Sequence, residues 1–134
     1  MTIRNAVRLL TFAAAAVCLN VSAAVALEQK TFDAAAFKAA QDAGKPVVVH
    51  VTAPWCPTCK AQHASIDSLA AKPEFASVTL FQIDFDTQAD AWKSVGARSQ
   101  STLVAYAGSK ETGRLVGETK AAPIEALITS ALAK

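Results

Sequence analysis

The chain has 134 residues, 52% hydrophobic and 18% charged, with 13 lysines and arginines against 11 aspartates and glutamates for a formal net charge of +2. That length suits one small domain and a single core. A charge this close to zero supplies no basic patch, so nucleic-acid binding is excluded as an expected function.

Residues 1–26 carry Arg4 and Arg8, then an apolar run from Leu9 to Leu19, then small residues ending Ala24-Val25-Ala26. This is the three-part layout of a secretory signal peptide, with cleavage expected after Ala26. The run is shorter than the roughly 20 residues that span a bilayer, so a lasting anchor is not expected. Acylation at Cys18 is a weaker alternative, because Val17 precedes it where such signals carry a small residue. Cleavage would leave one domain, residues 27–134. The loss of Arg4 and Arg8 then leaves 11 basic residues facing 11 acidic ones, and the loss of Cys18 leaves only Cys56 and Cys59. The expected product is an exported monomer with no membrane span, periplasmic if the source is Gram-negative.

Within that domain, Leu27 to Phe32 reads as a short extended segment. Asp33 then N-caps a helix from Ala34 to Ala43, which Gly44 stops, with Ala36, Phe37 and Ala40 facing inward. Val47-Val48-Val49-His50-Val51 is an almost continuous β-branched run, suited to a central strand covered on both faces. A helix from about Pro57 to Ala71 follows, ended by Lys72-Pro73. A strand is predicted at Val78 to Ile83, a helix at Ala89 to Val95, and strands at Thr102 to Tyr106 and Arg114 to Val116 with a turn from Gly108 to Gly113. A last amphipathic helix, Pro123 to Leu132, turns Ile124, Leu127, Ile128 and Leu132 inward. Strands alternating with helices, then a hairpin and a helix, predict an α/β sandwich with a mixed central sheet.

The chemistry concentrates at Cys56-Pro57-Thr58-Cys59, between the buried strand and the mouth of its helix. A bridge across two residues closes almost no loop and restrains the unfolded chain little, so this pair is a poor structural staple. At a helix N-terminus, free backbone N–H groups and the helix dipole favour a thiolate, which makes Cys56 the candidate nucleophile and Cys59, one turn on, the resolving thiol. Pro57 suits the first helical turn. Thr58 is placed to donate to Cys56, to cap or to pack; Trp55 reads as an apolar wall beside the sulfurs or a half-exposed packing residue. Lys60 reads as solvated, His63 as a surface or packing residue, and Asp84, Asp86 and Asp90 as caps and turn residues with no metal assigned.

Ala53-Pro54-Trp55-Cys56-Pro57-Thr58-Cys59-Lys60 resembles the active site of the thioredoxin superfamily. Asp86 after the next strand, the Gln100-Ser101-Thr102 loop and Gly117 after the hairpin fall where that family has its later landmarks. The resemblance implies a thioredoxin-like three-layer sandwich. It also implies thiol–disulfide exchange at the Cys56–Cys59 dithiol with protein thiols or disulfides and an upstream redox donor or acceptor. No cofactor is expected beyond that redox-active disulfide.

Three positions depart from the family. Where it has a cis-proline facing the cysteines, this chain has Ser101 before Thr102; a trans Gln100–Ser101 bond is expected, with the hydroxyl close to the sulfurs. Where it has a buried Asp six residues before the first cysteine, this chain has His50. That residue is either a satisfied core histidine or a base under Cys59 with a pKa nearer neutrality than a carboxylate's. Where a lysine commonly partners that Asp, this chain has Gln82, expected within reach of His50. Reduction is favoured over oxidation as the working direction, by analogy. The alternative is a binding module holding Cu(I) or Zn(II) on the same dithiol, although no second pair of ligands is visible. A redox-inert fold used for protein contact is a third reading, disfavoured by the presence of both cysteines.

Overall fold

The computed structural model describes residues 25–134; the expected signal segment lies almost wholly outside them. Five strands and four helices follow in the order β1 (Glu28–Thr31), α1 (Ala34–Asp42), β2 (Pro46–Thr52), α2 (Pro57–Ala70), β3 (Thr79–Asp84), α3 (Ala89–Ser94), β4 (Thr102–Ala107), β5 (Lys110–Val116) and α4 (Ala121–Ser130). The strands form one sheet in the order β1-β3-β2-β4-β5. β3 runs parallel to β1 and β2, while β4 is antiparallel to β2 and β5, so the sheet is mixed as expected. No helix among the described residues is long and apolar enough to cross a membrane.

β2 is central because its side chains are apolar on both faces. Val47, Val49 and Val51 meet Phe81, Ile83, Val104 and Tyr106 on one side, packed against Phe37 and Ala40 of α1 and Trp92 of α3. Val48 points the other way, into Ile66 and Leu69 of α2, Leu80 and Leu103 of the sheet, and Ile124, Leu127 and Ile128 of α4. The period of two along the strand puts His50 on the same side as Val48, under α2. On the α1 side Phe37 meets Phe81 and Tyr106 edge-on at 5.7 and 5.6 Å between centroids. Burying a side chain such as Phe81, 1% exposed, contributes about 2–3 kcal/mol.

Local signals explain most boundaries. The Asp33 carboxylate accepts the Ala36 N–H at 2.8 Å and starts α1. That helix is a lid rather than a core element: Ala36, Phe37 and Ala40 face inward but stay partly exposed. After α2, Pro73–Phe75 forms a single 3-10 turn that drops Phe75 into the core. The hairpin is tighter than predicted. Ala107 pairs directly with Lys110, so Gly108 and Ser109 alone make the turn and β5 starts four residues before Arg114. Gly113 lies within that strand, opposite Ala105, where a Cβ would come within 2.8 Å of Leu127 Cδ1. The two outer strands are polar: Glu28 and Lys30 are exposed on β1, and Lys110 and Glu111 on β5. A register irregularity interrupts the β4–β5 ladder at Ala105/Tyr106.

Candidate active site

β2 ends at Thr52, and within four residues the chain turns and enters α2 with Cys56 as its N-cap and Pro57 at its start. Cys56 Sγ accepts the Cys59 backbone N–H at 3.1 Å, so the sulfur sits where an N-cap oxygen would and meets the unpaired donors of the first turn. Cys56 and Cys59 are joined as a disulfide. Cys56 is 5% exposed and Cys59 fully buried, an asymmetry that presents the first sulfur to a partner and reserves the second.

Ser101 faces both sulfurs, its Oγ 3.1 Å from Cys56 Sγ and 3.1 Å from Cys59 Sγ. Disulfide sulfurs carry no proton, so the hydroxyl is the donor. Gln100–Ser101 is trans, since the described residues contain no cis peptide. The backbone of Ser101 is fixed on both sides: its N–H donates to Val51 O at 2.8 Å, and its carbonyl accepts from Gly117 N at 2.9 Å and from Gln62 Nε2 at 3.0 Å. Its φ is +59°, and no other non-glycine among the described residues has a positive φ. Such a conformation costs an L-residue about 1–2 kcal/mol. Thr102, by contrast, turns away and donates to Ser99 O at 2.9 Å.

Gln62 is the residue the sequence reading missed. It is completely buried, and its amide nitrogen donates to Ser101 O and to Glu118 O, at 3.0 and 2.9 Å. With both donors spent on carbonyls, its Oε1 is left facing His50 Nε2 at 2.9 Å. Nε2 must therefore carry the imidazole proton and donate, leaving Nδ1 as a bare acceptor. That Nδ1 is buried and has no hydrogen-bond partner. A signal for Gln62 was present: Cys59, Gln62, Ile66 and Leu69 are the buried positions of α2, a helical stripe in which one polar residue has to be satisfied internally.

Two expectations about the floor of the site are corrected. Gln82 lies beside His50 in the β2–β3 register, but its amide donates to Gln29 Oε1 at 3.1 Å on β1. α2 supplies the partner for His50, because it lies directly over that position while the outer strand offers Gln82 its own glutamine. Nor is His50 a base poised near neutrality. Burial first, then the neighbouring His63, lower its pKa from 6.5 to about 4, with the Gln62 hydrogen bond opposing them. The result is no more basic than a carboxylate.

The remaining candidates fall at the rim. Trp55 is 57% exposed and its Nε1–H donates to Asp86 at 2.8 Å. Thr58 is half-buried, and the hydrogen bonds that reach Cys56 Sγ come from Cys59 and Ser101 instead. A cavity of about 350 Å3 opens beside Cys56, bordered by Thr52, Pro54, Lys60, His63 and Asp84. His63 is bonded to Thr52 Oγ1 at 3.1 Å and meets the His50 ring edge-on at 4.6 Å, which is the packing role expected of it. Asp84 caps the following turn through the N–H groups of Asp86 and Thr87. Among the described residues no three His, Cys, Asp or Glu side chains gather as a metal site.

The sequence model of the thioredoxin family matches residues 23–130. A thioredoxin of Aspergillus fumigatus is 29% identical over 106 residues, covering 78% of this chain and 96% of that protein. The thiol:disulfide interchange protein DsbE of Yersinia pestis is 48% identical over 48 residues, a stretch that is 34% of this chain and 23% of that one. Among solved structures, Trxlp of Edwardsiella tarda superposes with a TM-score of 0.72 at 37% identity, over 75% of this chain and 98% of its own.

Proposed function

The chain belongs to the thioredoxin family and is a thiol–disulfide oxidoreductase, and on that premise we propose that it is an exported, single-domain reductant of protein disulfides. The observation that carries the chemistry is the Cys56–Cys59 pair at the start of α2, with Cys56 Sγ held by the Cys59 N–H. Export is supported by the layout of residues 1–26. The reducing direction is carried by analogy with the thioredoxin-superfamily pattern that Trp55-Cys56-Pro57-Thr58-Cys59 resembles. The likeness to a thiol:disulfide interchange protein over 48 residues supports exchange with protein partners.

In the reducing direction the Cys56 thiolate attacks one sulfur of a substrate disulfide; a Cys56–substrate bond forms as the substrate's own S–S bond breaks and its other sulfur leaves as a thiolate. Cys59, having lost its proton, then attacks Cys56 Sγ, the Cys56–Cys59 bond forms and the reduced substrate departs. An upstream dithiol returns two electrons and restores the pair. Trp55 and the cavity over Pro54 and Lys60 give the substrate chain a place to rest. The network Ser101–Gln62–His50 keeps the opposite wall in position.

Replacing Cys59 with serine should arrest the cycle at the mixed disulfide, so that Cys59→Ser accumulates a reducible adduct and Cys56→Ser does not. Equal capture by both variants, or by neither, refutes the mechanism. Fractionation of the full chain with N-terminal sequencing should find a product that begins at Leu27 outside the cytoplasm.

A further inference from the structure

Wherever else the described backbone enters the left-handed region, it uses glycine: Gly44, Gly96, Gly108 and Gly117 have φ between +60° and +71°. At +59° Ser101 is the exception. Glycine there would relieve the backbone, so the serine is retained at a cost, and what it adds is a hydroxyl. That hydroxyl lies 3.1 Å from each sulfur, on a residue only 6% exposed. Its backbone is tied to Val51, Gly117 and Gln62, and Gln62 is in turn braced by Glu118 and His50. Strain held in place by this many bonds, at the reacting atoms, is the signature of a functional constraint.

A hydroxyl proton bonds weakly to a neutral disulfide sulfur and much more strongly to a thiolate, since hydrogen bonds to ionised acceptors are about twice as strong as neutral ones. The same contact therefore gains strength when the disulfide is opened. We propose that the Ser101 hydroxyl is a catalytic group of this dithiol, donating to the Cys56 thiolate in the reduced protein while its oxygen accepts the Cys59 S–H. This rests on the oxidoreductase reading above and adds to it the group that sets the poise of the pair. With glutathione as the probe, the Cys56–Cys59 disulfide and two glutathione thiols yield two protein thiols and one glutathione disulfide. Cys56 then loses its proton to solvent, and the charge left on Sγ is what Ser101 holds. The consequence is an acidic Cys56 and a reduced form stabilised relative to the disulfide.

The test uses Ser101→Gly, which removes the hydroxyl and suits the backbone, together with Ser101→Ala, which removes the hydroxyl and keeps the Cβ. Each is compared with the wild type for the pH profile of Cys56 alkylation and for equilibrium with glutathione redox buffers. Without the hydroxyl, the Cys56 midpoint should rise by about one pH unit. Well above the variant's raised midpoint the equilibrium should shift about tenfold toward the disulfide, equivalent to about 30 mV. Ser101→Gly should be at least as resistant to urea as the wild type, so the result does not depend on the strained alanine variant folding. If Ser101→Gly titrates and equilibrates like the wild type, the proposal is overturned although the dithiol still cycles. A shift in glycine that a folded alanine variant lacks also overturns it, since backbone freedom rather than the hydroxyl would be responsible. A wild-type protein that fails to exchange with glutathione at all instead refutes the underlying oxidoreductase reading.

Discussion

The lowered pKa of His50 makes acid sensitivity a quantitative test of how the floor of the site is built. In the unfolded chain the imidazole titrates near 6.5, and in the folded protein only near about 4. Over that interval the unfolded state binds the proton and the folded state does not, so stability rises with pH. The contribution is complete above the unfolded value and is lost as pH falls toward the folded one. Integrating the two titrations gives a loss of about 2 kcal/mol between about pH 7.5 and about pH 5, and about 3 kcal/mol by about pH 4. Below about pH 5 carboxylates add their own titration, so the upper part of the window is the diagnostic one. His50→Gln retains a donor toward Gln62 Oε1 but cannot titrate. Urea unfolding of both oxidised proteins across this range should show the wild type losing about 2 kcal/mol more than the variant. The His50 ring resonances should also stay unshifted down to about pH 5. Parallel stability curves for the two proteins would show that the imidazole is not held neutral by its surroundings, and the argument from burial would fail.

Gln62→Ala removes both donors and the acceptor that join His50, Ser101 and Glu118; leaving His50 Nε2 and the Glu118 carbonyl unpaired should cost about 2–4 kcal/mol in urea unfolding. The same variant releases the Ser101 carbonyl and should weaken the dependence of the Cys56 alkylation profile on Ser101, so that Ser101→Gly has a smaller effect in its background than alone. Gly113→Ala would drive a methyl to within 2.8 Å of Leu127 Cδ1 and should destabilise by about 1–3 kcal/mol, an effect reduced when Leu127 is shortened to Val. Equal effects with and without that shortening would place the cost elsewhere.

The mixed sheet, the central place of β2 and the position of the dithiol were legible because they follow from strong local signals: the valine run of β2, the Asp33 cap, and a cysteine pair opening an apolar-striped helix. The β4–β5 turn was misjudged because Gly113 reads as a turn residue in isolation, whereas its small size makes room for Leu127 across the interface with α4. His50 and Ser101 stood out as departures from the family pattern, and the structure places Ser101 at the sulfurs. The partner of His50 was misassigned for a physical reason. Strand register puts Gln82 next to it, but a side chain's choice among hydrogen-bond partners depends on what the helix above and the outer strand offer. The positive φ of Ser101 left no trace in the sequence, since a serine carries none of the conformational warning that a glycine would.

The charged outer strands matter for a chain proposed to fold after export. A mixed open sheet has two edges with free N–H and C=O groups, each able to recruit a strand from another molecule. Here one edge carries Glu28 and Lys30 and the other Lys110 and Glu111, while the irregularity at Ala105/Tyr106 breaks the regular ladder beside the second edge. Charge and distortion at the margins discourage intermolecular pairing during refolding without touching β2 at the centre. The valine-rich strand that leads into the cysteines is the segment most prone to self-association, and both its edges are covered, by β3 and by β4.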